Sequence, residues 1–379
     1  MVTELAEVRA TPTLYIYTFT RENSLKKMAI VNTGLTLKDL PTPPEGRTGW
    51  PWTEQTEPLP DKMPDSSEWP RISIVTPSYN QGQFIEETIR SVLLQGYSNL
   101  EYIIIDGGST DNSVEIINKY EQYLSYWISE PDGGQSNALN KGFHRATGNL
   151  VGWQNSDDYY LPKAFLYAAQ ALAIFDEADV FYGNANYIDA SGNIIFTAQI
   201  SQFDFKNMIP WQCILNQSTF FTRQIFQNGN FIDETKEHIM DYEFFWRLAL
   251  ANYKFKFIPE IVANFRQHSQ AKGATQTEIA EQEFFQMYKF LYTEASLESD
   301  VKEKLLFCMR DCCLNDFAKL RLSIFRQRVK EVAAIKGFNY LCPILIIKYF
   351  ISLIGAKNIF LLKSVRNKIL YFDQNGKLF

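Results

Sequence analysis

Histidine is scarce in this chain, with three in 379 residues, and cysteine is little commoner, with five. No two cysteines stand in a C-x-x-C spacing, so neither a zinc module nor a disulfide scaffold is expected. Cys213, Cys308, Cys312, Cys313 and Cys342 read as reduced thiols of a cytoplasmic protein. A G-x-x-x-x-G-K-[ST] loop and a G-x-G-x-x-G fingerprint are both missing, which sets aside the commonest nucleotide-binding loops. Glu4 and Glu7 fall where a secretory leader would be basic, and no long apolar core follows them. Retention in the cytoplasm is therefore expected. Neither an internal repeat nor a low-complexity tract is found.

What is present is ordinary globular composition: 46% hydrophobic, 21% charged and 15% aromatic residues. The length suits two domains or one large domain with appendages, and such a core needs no metal or disulfide to hold it. The net charge of −6 hides an asymmetry. Residues 301–379 carry 15 Lys and Arg against 5 Asp and Glu, whereas the first 300 carry 22 against 38. An acidic body argues against a nucleic-acid partner. The basic end either has an anionic partner or presents a solvated basic face.

Residues 1–70 read as a proline-rich extension. Leu14 to Phe19 suits one short strand, and Pro41 to Pro70 is too rich in proline for helices or ladders. An extended arm lying on the main domain is expected, anchored by Trp50, Trp52 and Trp69. From Arg71 the texture changes to α/β: apolar runs at Ile72, Glu101, Tyr126 and Gly148 alternate with helical periodicity. That alternation predicts a mostly parallel sheet flanked by helices over 71–275. Residues 276–379 read as a helical, basic C-terminal region.

Polar residues cluster where the apolar runs end, at Thr76 to Asn80, Asp106 to Asp111 and Asn155 to Asp158. In open α/β sheets ligands bind in the crevice at the carboxyl ends of the strands, so these segments mark the expected site. Asn155 to Asp158 sets two adjacent carboxylates at a strand end, which suits a hard divalent cation holding a diphosphate. It equally suits a surface turn in which Asp158 caps the next helix. Asp106 either closes a turn or meets a base or ribose, with Gly107 and Gly108 letting the ligand approach. Arg266 and His268 share a face if extended, and together suit a phosphate or a loop salt bridge. Asp241 opens an amphipathic helix, either as its cap or as a general base presented at its N-terminus. His144 and His238 lack a partner at ligand spacing and read as structural or exposed.

The motifs TPSYN, IIDGGSTD, GQSNALNKGF, NSDD, LNQSTFF, MDYEFFWRL and FRQHS then follow one another in a specific order. From Arg71 to about Gly273 the chain resembles the family 2 glycosyltransferases, whose fold is the GT-A nucleotide-sugar-binding fold. The resemblance implies that Thr76, Pro77, Tyr79, Asn80 and Asp106 line the nucleotide, and that Gln135, Asn140 and Lys141 close over it. Asn155 and Ser156 would touch the donor, and Asp157, Asp158 and His268 would hold a divalent cation, Mn2+ or Mg2+. Asn155 departs from the family's DXD pattern, in which an acid stands first. Trp211, Gln217 and Arg266 would shape the sugar or acceptor pocket, and Asp241 matches the catalytic base.

The implied activity is metal-assisted, inverting transfer from a nucleotide-diphosphate sugar, UDP-linked by preference, in cell-surface or exported polysaccharide assembly. A glycan or lipid-linked acceptor is implied as the second substrate. A catalytically inactive nucleotide-sugar-binding or scaffolding subunit is the alternative, on the strength of Asn155. A nucleotidyltransferase is disfavoured, because TPSYNQGQF lacks the basic residue such a loop needs. The apolar stretch 341–362 is interrupted by Lys348, Lys357 and Asn358 and flanked by basic residues. It either packs on the catalytic domain, lies in an anionic membrane surface at the inner face of the membrane, or spans it.

Overall fold

Apolar runs at residues 72, 99, 126 and 150 become parallel strands. In the computed structural model, described over residues 31–32, 34–209, 214–272, 277–337 and 341–353, β1 (Val31–Asn32) precedes β2 (Ile72–Ser78), β3 (Asn99–Asp106), β4 (Tyr126–Ser129) and β5 (Leu150–Trp153). Strand β2 pairs in parallel with β3 and β5, and β3 with β4. Helices α1 (Ile85–Leu93), α2 (Ser113–Lys119) and α3 (Gln135–Arg145) make the crossovers. Every residue of β2 is buried, as a strand covered on both faces requires.

The period of two sorts these side chains. Ile72 and Ile74 join Tyr102 and Ile104 in a core with Ile85 and Ile89 of α1. Val75 joins Ile103 and Ile105 in a second core with Ala138, Leu139 and Phe143 of α3. Helix α3 lies so close to β2 that a Cβ on Gly142 would stand 2.3 Å from Val75 Cγ1. Only glycine fits there, and this contact fixes where the N-terminus of α3 arrives.

The remaining elements add antiparallel strands to this parallel sheet. They are β6 (Tyr159–Tyr160), α4 (Ala164–Ile174), β7 (Val180–Ile188), β8 (Ile194–Ala198), β9 (Thr219–Thr222), α5 (Arg223–Gln227), α6 (Met240–Leu250) and β10 (Phe255–Arg266). Strand β9 is antiparallel to both β5 and β7, and β8 returns antiparallel to β7. Strand β10 runs parallel to β7 and antiparallel to β6. The β7–β8 connection is a tight turn, and a tight turn can join only antiparallel neighbours. The spatial order is β1-β3-β2-β5-β9-β7-β10-β6, with β4 beside β3 and β8 beside β7.

Ahead of β2, the proline-rich segment packs on α1. Its carbonyls lie outside any ladder, and the buried Arg90 guanidinium of α1 donates to those of Pro41 (2.8 Å), Pro51 (3.1 Å) and Trp52 (3.1 Å). Trp50 Nε1 donates to the Tyr160 carbonyl at 2.8 Å, and Trp52 and Trp69 are buried. Leu14 to Phe19 lies outside the described residues.

After β10 the chain is helical: α7 (Thr277–Glu294), α8 (Ser299–Ala318), α9 (Leu322–Lys336) and α10 (Pro343–Ser352). Phe285, Leu291, Leu305, Met309, Phe325 and Val329 continue the core of α3 and α6. A buried carboxylate, Asp316, is held by Arg328 at 2.8 Å and Arg321 at 2.7 Å. Among the described residues no helix is long and apolar enough to cross a membrane. Residues 354–362 of the apolar stretch lie outside them.

Candidate active site

The strand ends, the N-termini of α3 and α6 and the segment after β10 surround one cavity of about 1070 Å3. On its first side the β2–α1 loop is braced by Asp106. This buried carboxylate accepts from Ser78 Oγ (3.0 Å), Ser109 Oγ (2.5 Å) and Ser129 Oγ (2.7 Å), and from the N–H groups of Gly108 (3.2 Å) and Ser109 (2.8 Å). With both oxygens so occupied, Asp106 shapes the loop and does not line the cavity. Asn80 likewise bridges loops, accepting from the Thr110 N–H at 2.8 Å. Thr76 points away, its hydroxyl 3.2 Å from Tyr102 Oη in the α1-side core. Pro77, Ser78 and the exposed Tyr79 are the wall here.

On α3, only the first turn faces the cavity, through Gly134, Gln135 and Ala138. Asn140 is turned the other way, donating to the Ile232 carbonyl and to Glu234 Oε1, each at 2.9 Å. Lys141 pairs with Glu130 at 2.8 Å. Those two expected nucleotide contacts are therefore structural, because the helix rotates about 100° per residue and carries them off the face of Gln135.

The Asn155–Asp158 turn is the centre of the site. Asn155 Oδ1 accepts from Trp153 Nε1 (2.8 Å) and Gln135 Nε2 (2.9 Å), and its Nδ2 donates to Asp158 Oδ2 (3.1 Å). Asp158 is fully buried and also accepts from the Arg266 N–H (2.7 Å) and Gln217 Nε2 (2.8 Å). Burial first, and Asp157 beside it second, push the Asp158 carboxyl well above the usual carboxylate range. It does not line the cavity, so its expected part as a metal ligand is corrected to a buried anchor. The same geometry explains the departure at 155. An acid there would bring a second carboxylate against Asp158 with no N–H between them.

Asp157 does reach the cavity. Its Oδ2 is hydrogen-bonded to His268 Nε2 at 3.0 Å, and both residues line the wall. The His268 ring packs on Phe84, with centroids 4.8 Å apart. Arg266 is committed elsewhere: Nη2 to Glu87 (2.6 Å), Nε to the Asp157 carbonyl (2.9 Å) and Nη1 to the Ala190 carbonyl (3.0 Å). It lines the wall, but it braces the Asp157 turn rather than offering a free fork to phosphate.

Across the cavity Asp241 is the second residue of α6, and its Oδ1 accepts from the Tyr242 N–H at 2.8 Å. Ahead of it, Glu283 of α7 accepts from three successive N–H groups, those of Glu237 (2.8 Å), His238 (2.9 Å) and Ile239 (3.0 Å). These donors lie in the turn that leads into α6, where neither a ladder nor the helix takes them. Glu283→Ala should cost about 1–3 kcal/mol of stability by orphaning these donors. It should also slow turnover, because it loosens the segment that leads into Asp241. The Glu283→Gln protein, which keeps one acceptor oxygen, should recover part of both, as melting and steady-state rates will tell.

Several wall residues had no assigned part in the sequence. Lys272 Nζ approaches Gln135 Oε1 at 3.4 Å, and burial lowers its ammonium pKa while Glu237, Glu283 and Asp241 oppose that. Lys272 ends the run NFRQHSQAK, and its position four residues past His268 was the available signal. Asn216 and His238 also line the wall. Asn216 Nδ2, Gln217 Oε1 and His238 Nδ1 are buried atoms without a hydrogen-bond partner among the described residues. Trp211 lies outside the described residues. Among the described residues no group of three or more His, Cys, Asp or Glu side chains is arranged to hold an ion.

Residues 73–248 match the family model described as Glycosyl transferase family 2. An uncharacterized glycosyltransferase of Mycobacterium tuberculosis is 38% identical over 106 residues, which are 27% of this chain and 40% of that protein. One from Rickettsia typhi is 26% identical over 218 residues, 54% of this chain and 67% of its own. The chondroitin synthase of Pasteurella multocida is 31% identical over 198 residues, 52% of this chain and 20% of that protein. The chain thus spans less than half the length of the Mycobacterium relative. Among solved structures, S. aureus TarS 1–349 in complex with UDP-GlcNAc superposes with a TM-score of 0.54 at 17% identity, covering 70% of this chain and 80% of that one. The fold is accordingly similar to that of GT-A glycosyltransferases, and residues 73–248, just under half of the chain, match glycosyl transferase family 2.

Proposed function

We propose that the chain transfers a sugar, with inversion, from a nucleoside diphosphate sugar to an acceptor hydroxyl during assembly of a cell-surface or exported glycan. The observation that carries this is a single cavity lined both by Asp241 and by the Asp157–His268 pair. A UDP-linked donor is favoured by the UDP-GlcNAc of the structure with the similar fold. Glycan assembly is favoured by the chondroitin synthase among the relatives.

Each wall has a part. Tyr79, exposed at the mouth, offers a ring face to the base. The N-terminus of α3 at Gly134 and Gln135, with Lys272 beside it, favours the diphosphate electrostatically. Asn216 Nδ2, Gln217 Oε1 and His238 Nδ1, without partners among the described residues, are groups that sugar or acceptor hydroxyls would satisfy. Asp241 takes the acceptor proton as that oxygen attacks the anomeric carbon. The bond from that carbon to the diphosphate oxygen breaks, and its electrons leave with the nucleoside diphosphate. Asp241 stands in the first turn of α6, and the Tyr242 N–H fixes its orientation.

A divalent cation fits the residues present. One carboxylate, from Asp157, and one imidazole, from His268, suit Mn2+ or Mg2+ when phosphate oxygens and water complete the shell. When bound, the cation would neutralise the charge that builds on the departing diphosphate. The test is to incubate the protein with a panel of nucleoside diphosphate sugars and follow release of the nucleoside diphosphate. Release from one donor by the wild type but not by Asp241→Asn supports transferase chemistry. Binding without release, even with acceptor glycans supplied, would favour the inactive-subunit alternative.

A further inference from the structure

Helix α10 is inside out with respect to its charge. One side is buried at Leu345 and Ser352, with Tyr349 packed partly beneath and Ile346 and Ile351 partly buried at its flanks. The opposite side exposes Ile344, Ile347, Phe350 and Leu353, at 51%, 58%, 60% and 59% of their surfaces. At about 100° per residue these four fan over the half-cylinder facing away from Leu345. The one ionisable side chain of charge type in this helix, Lys348, turns inward, its Nζ 4.5 Å from the Phe317 ring centroid. A helix facing water does the reverse, sending its lysine out and its isoleucines in.

The surroundings are basic. Arg326 of α9 donates to the Ser352 carbonyl at 2.9 Å and fastens the C-terminal end of α10, and Lys330 on the same helix is exposed. Ten residues of helix measure about 15 Å, half of a bilayer's hydrocarbon thickness, so the helix is too short to cross. Apolar side chains outward and cations alongside are what the headgroup boundary of an anionic bilayer binds.

We propose that α10 lies in the surface of an anionic membrane, with Ile344, Ile347, Phe350 and Leu353 inserted among the acyl chains. The catalytic cavity would then work at the cytoplasmic face of that membrane, within reach of a lipid-linked acceptor. Vesicle binding does not depend on the donor or on Asp241, so it stands or falls separately from the transferase proposal.

The test is flotation of the full chain with vesicles of phosphatidylcholine alone or with phosphatidylglycerol added. The wild type should float with the anionic vesicles, much less with neutral ones, and less again at high salt. In the double variant Ile347→Glu/Phe350→Glu, the bound-to-free ratio should fall by about tenfold or more, with an unchanged melting temperature. A wild type that stays at the bottom would overturn the proposal, as would a variant that floats equally well. A large drop in melting temperature would do the same, since it would mean that the chain's own residues cover this face. So would a wild-type dimer that the variant dissociates, which would assign the face to a second copy.

Discussion

Asp241→Asn is expected to slow sugar transfer by about 100- to 10,000-fold, the usual worth of a positioned general base. The substitution is nearly isosteric and leaves one oxygen to accept from the Tyr242 N–H. The start of α6, tied down by Glu283, should therefore keep its shape. Nucleotide affinity should stay within a few-fold of wild type, because the α3 terminus, Lys272 and the Asp157–His268 pair are untouched. A rate within tenfold of wild type would remove Asp241 from its part. A collapse in binding as well as rate would mean that it acts by holding the donor.

Asp157→Ala should have the second large effect, and on the opposite side of the kinetics. It removes the one carboxylate of the expected DXD segment that reaches the cavity and leaves His268 without its 3.0 Å partner. Nucleotide at about 100 times its dissociation constant stabilises a protein by about 2.7 kcal/mol. In the wild type that stabilisation should require Mn2+ or Mg2+, and in Asp157→Ala adding the cation should restore nothing. Asp158→Ala should behave differently. It deprives three donors, the Arg266 N–H, Gln217 Nε2 and Asn155 Nδ2, of a buried acceptor. Its first consequence is therefore lost stability, whether or not nucleotide is present.

Much of this site was legible because local patterns encode it. The strands from Ile72, Asn99, Tyr126 and Leu150 are apolar runs followed by polar turns, and parallel βα units bring such ends together. Tyr79, Gln135, Asp157, Gln217, Asp241 and His268 all proved to line the cavity. Thr76 need not have been misassigned, since it lies an even number of residues from Ile72 and Ile74 and so faces α1 with them. The antiparallel strands could not be read in the same way. Strand β9 meets β5 across some seventy residues of sequence, and the pattern within either strand does not announce its partner.

Charge carries the other lesson. Asp106, Asp158 and Arg266 were expected to touch ligand because charged residues at strand ends often do. Each is instead filled by protein partners, Asp106 and Asp158 off the cavity and Arg266 on its wall, and each holds in place a neighbour that faces the cavity. A carboxylate that braces a loop and one that awaits a ligand look alike in sequence. Only the count of donors around it separates them. Asn155 is the reverse case, since its missing charge looked like lost function until Asp158 was found 3.1 Å away.

The most direct measurement is thermal unfolding of the wild type and Asp157→Ala with UDP, GDP, dTDP and CMP, each with and without Mn2+. One nucleoside diphosphate should stabilise the wild type, only when the cation is present, and should fail on the variant. If no nucleotide shifts the wild type, or if the variant responds equally, the cavity is not the donor site described above.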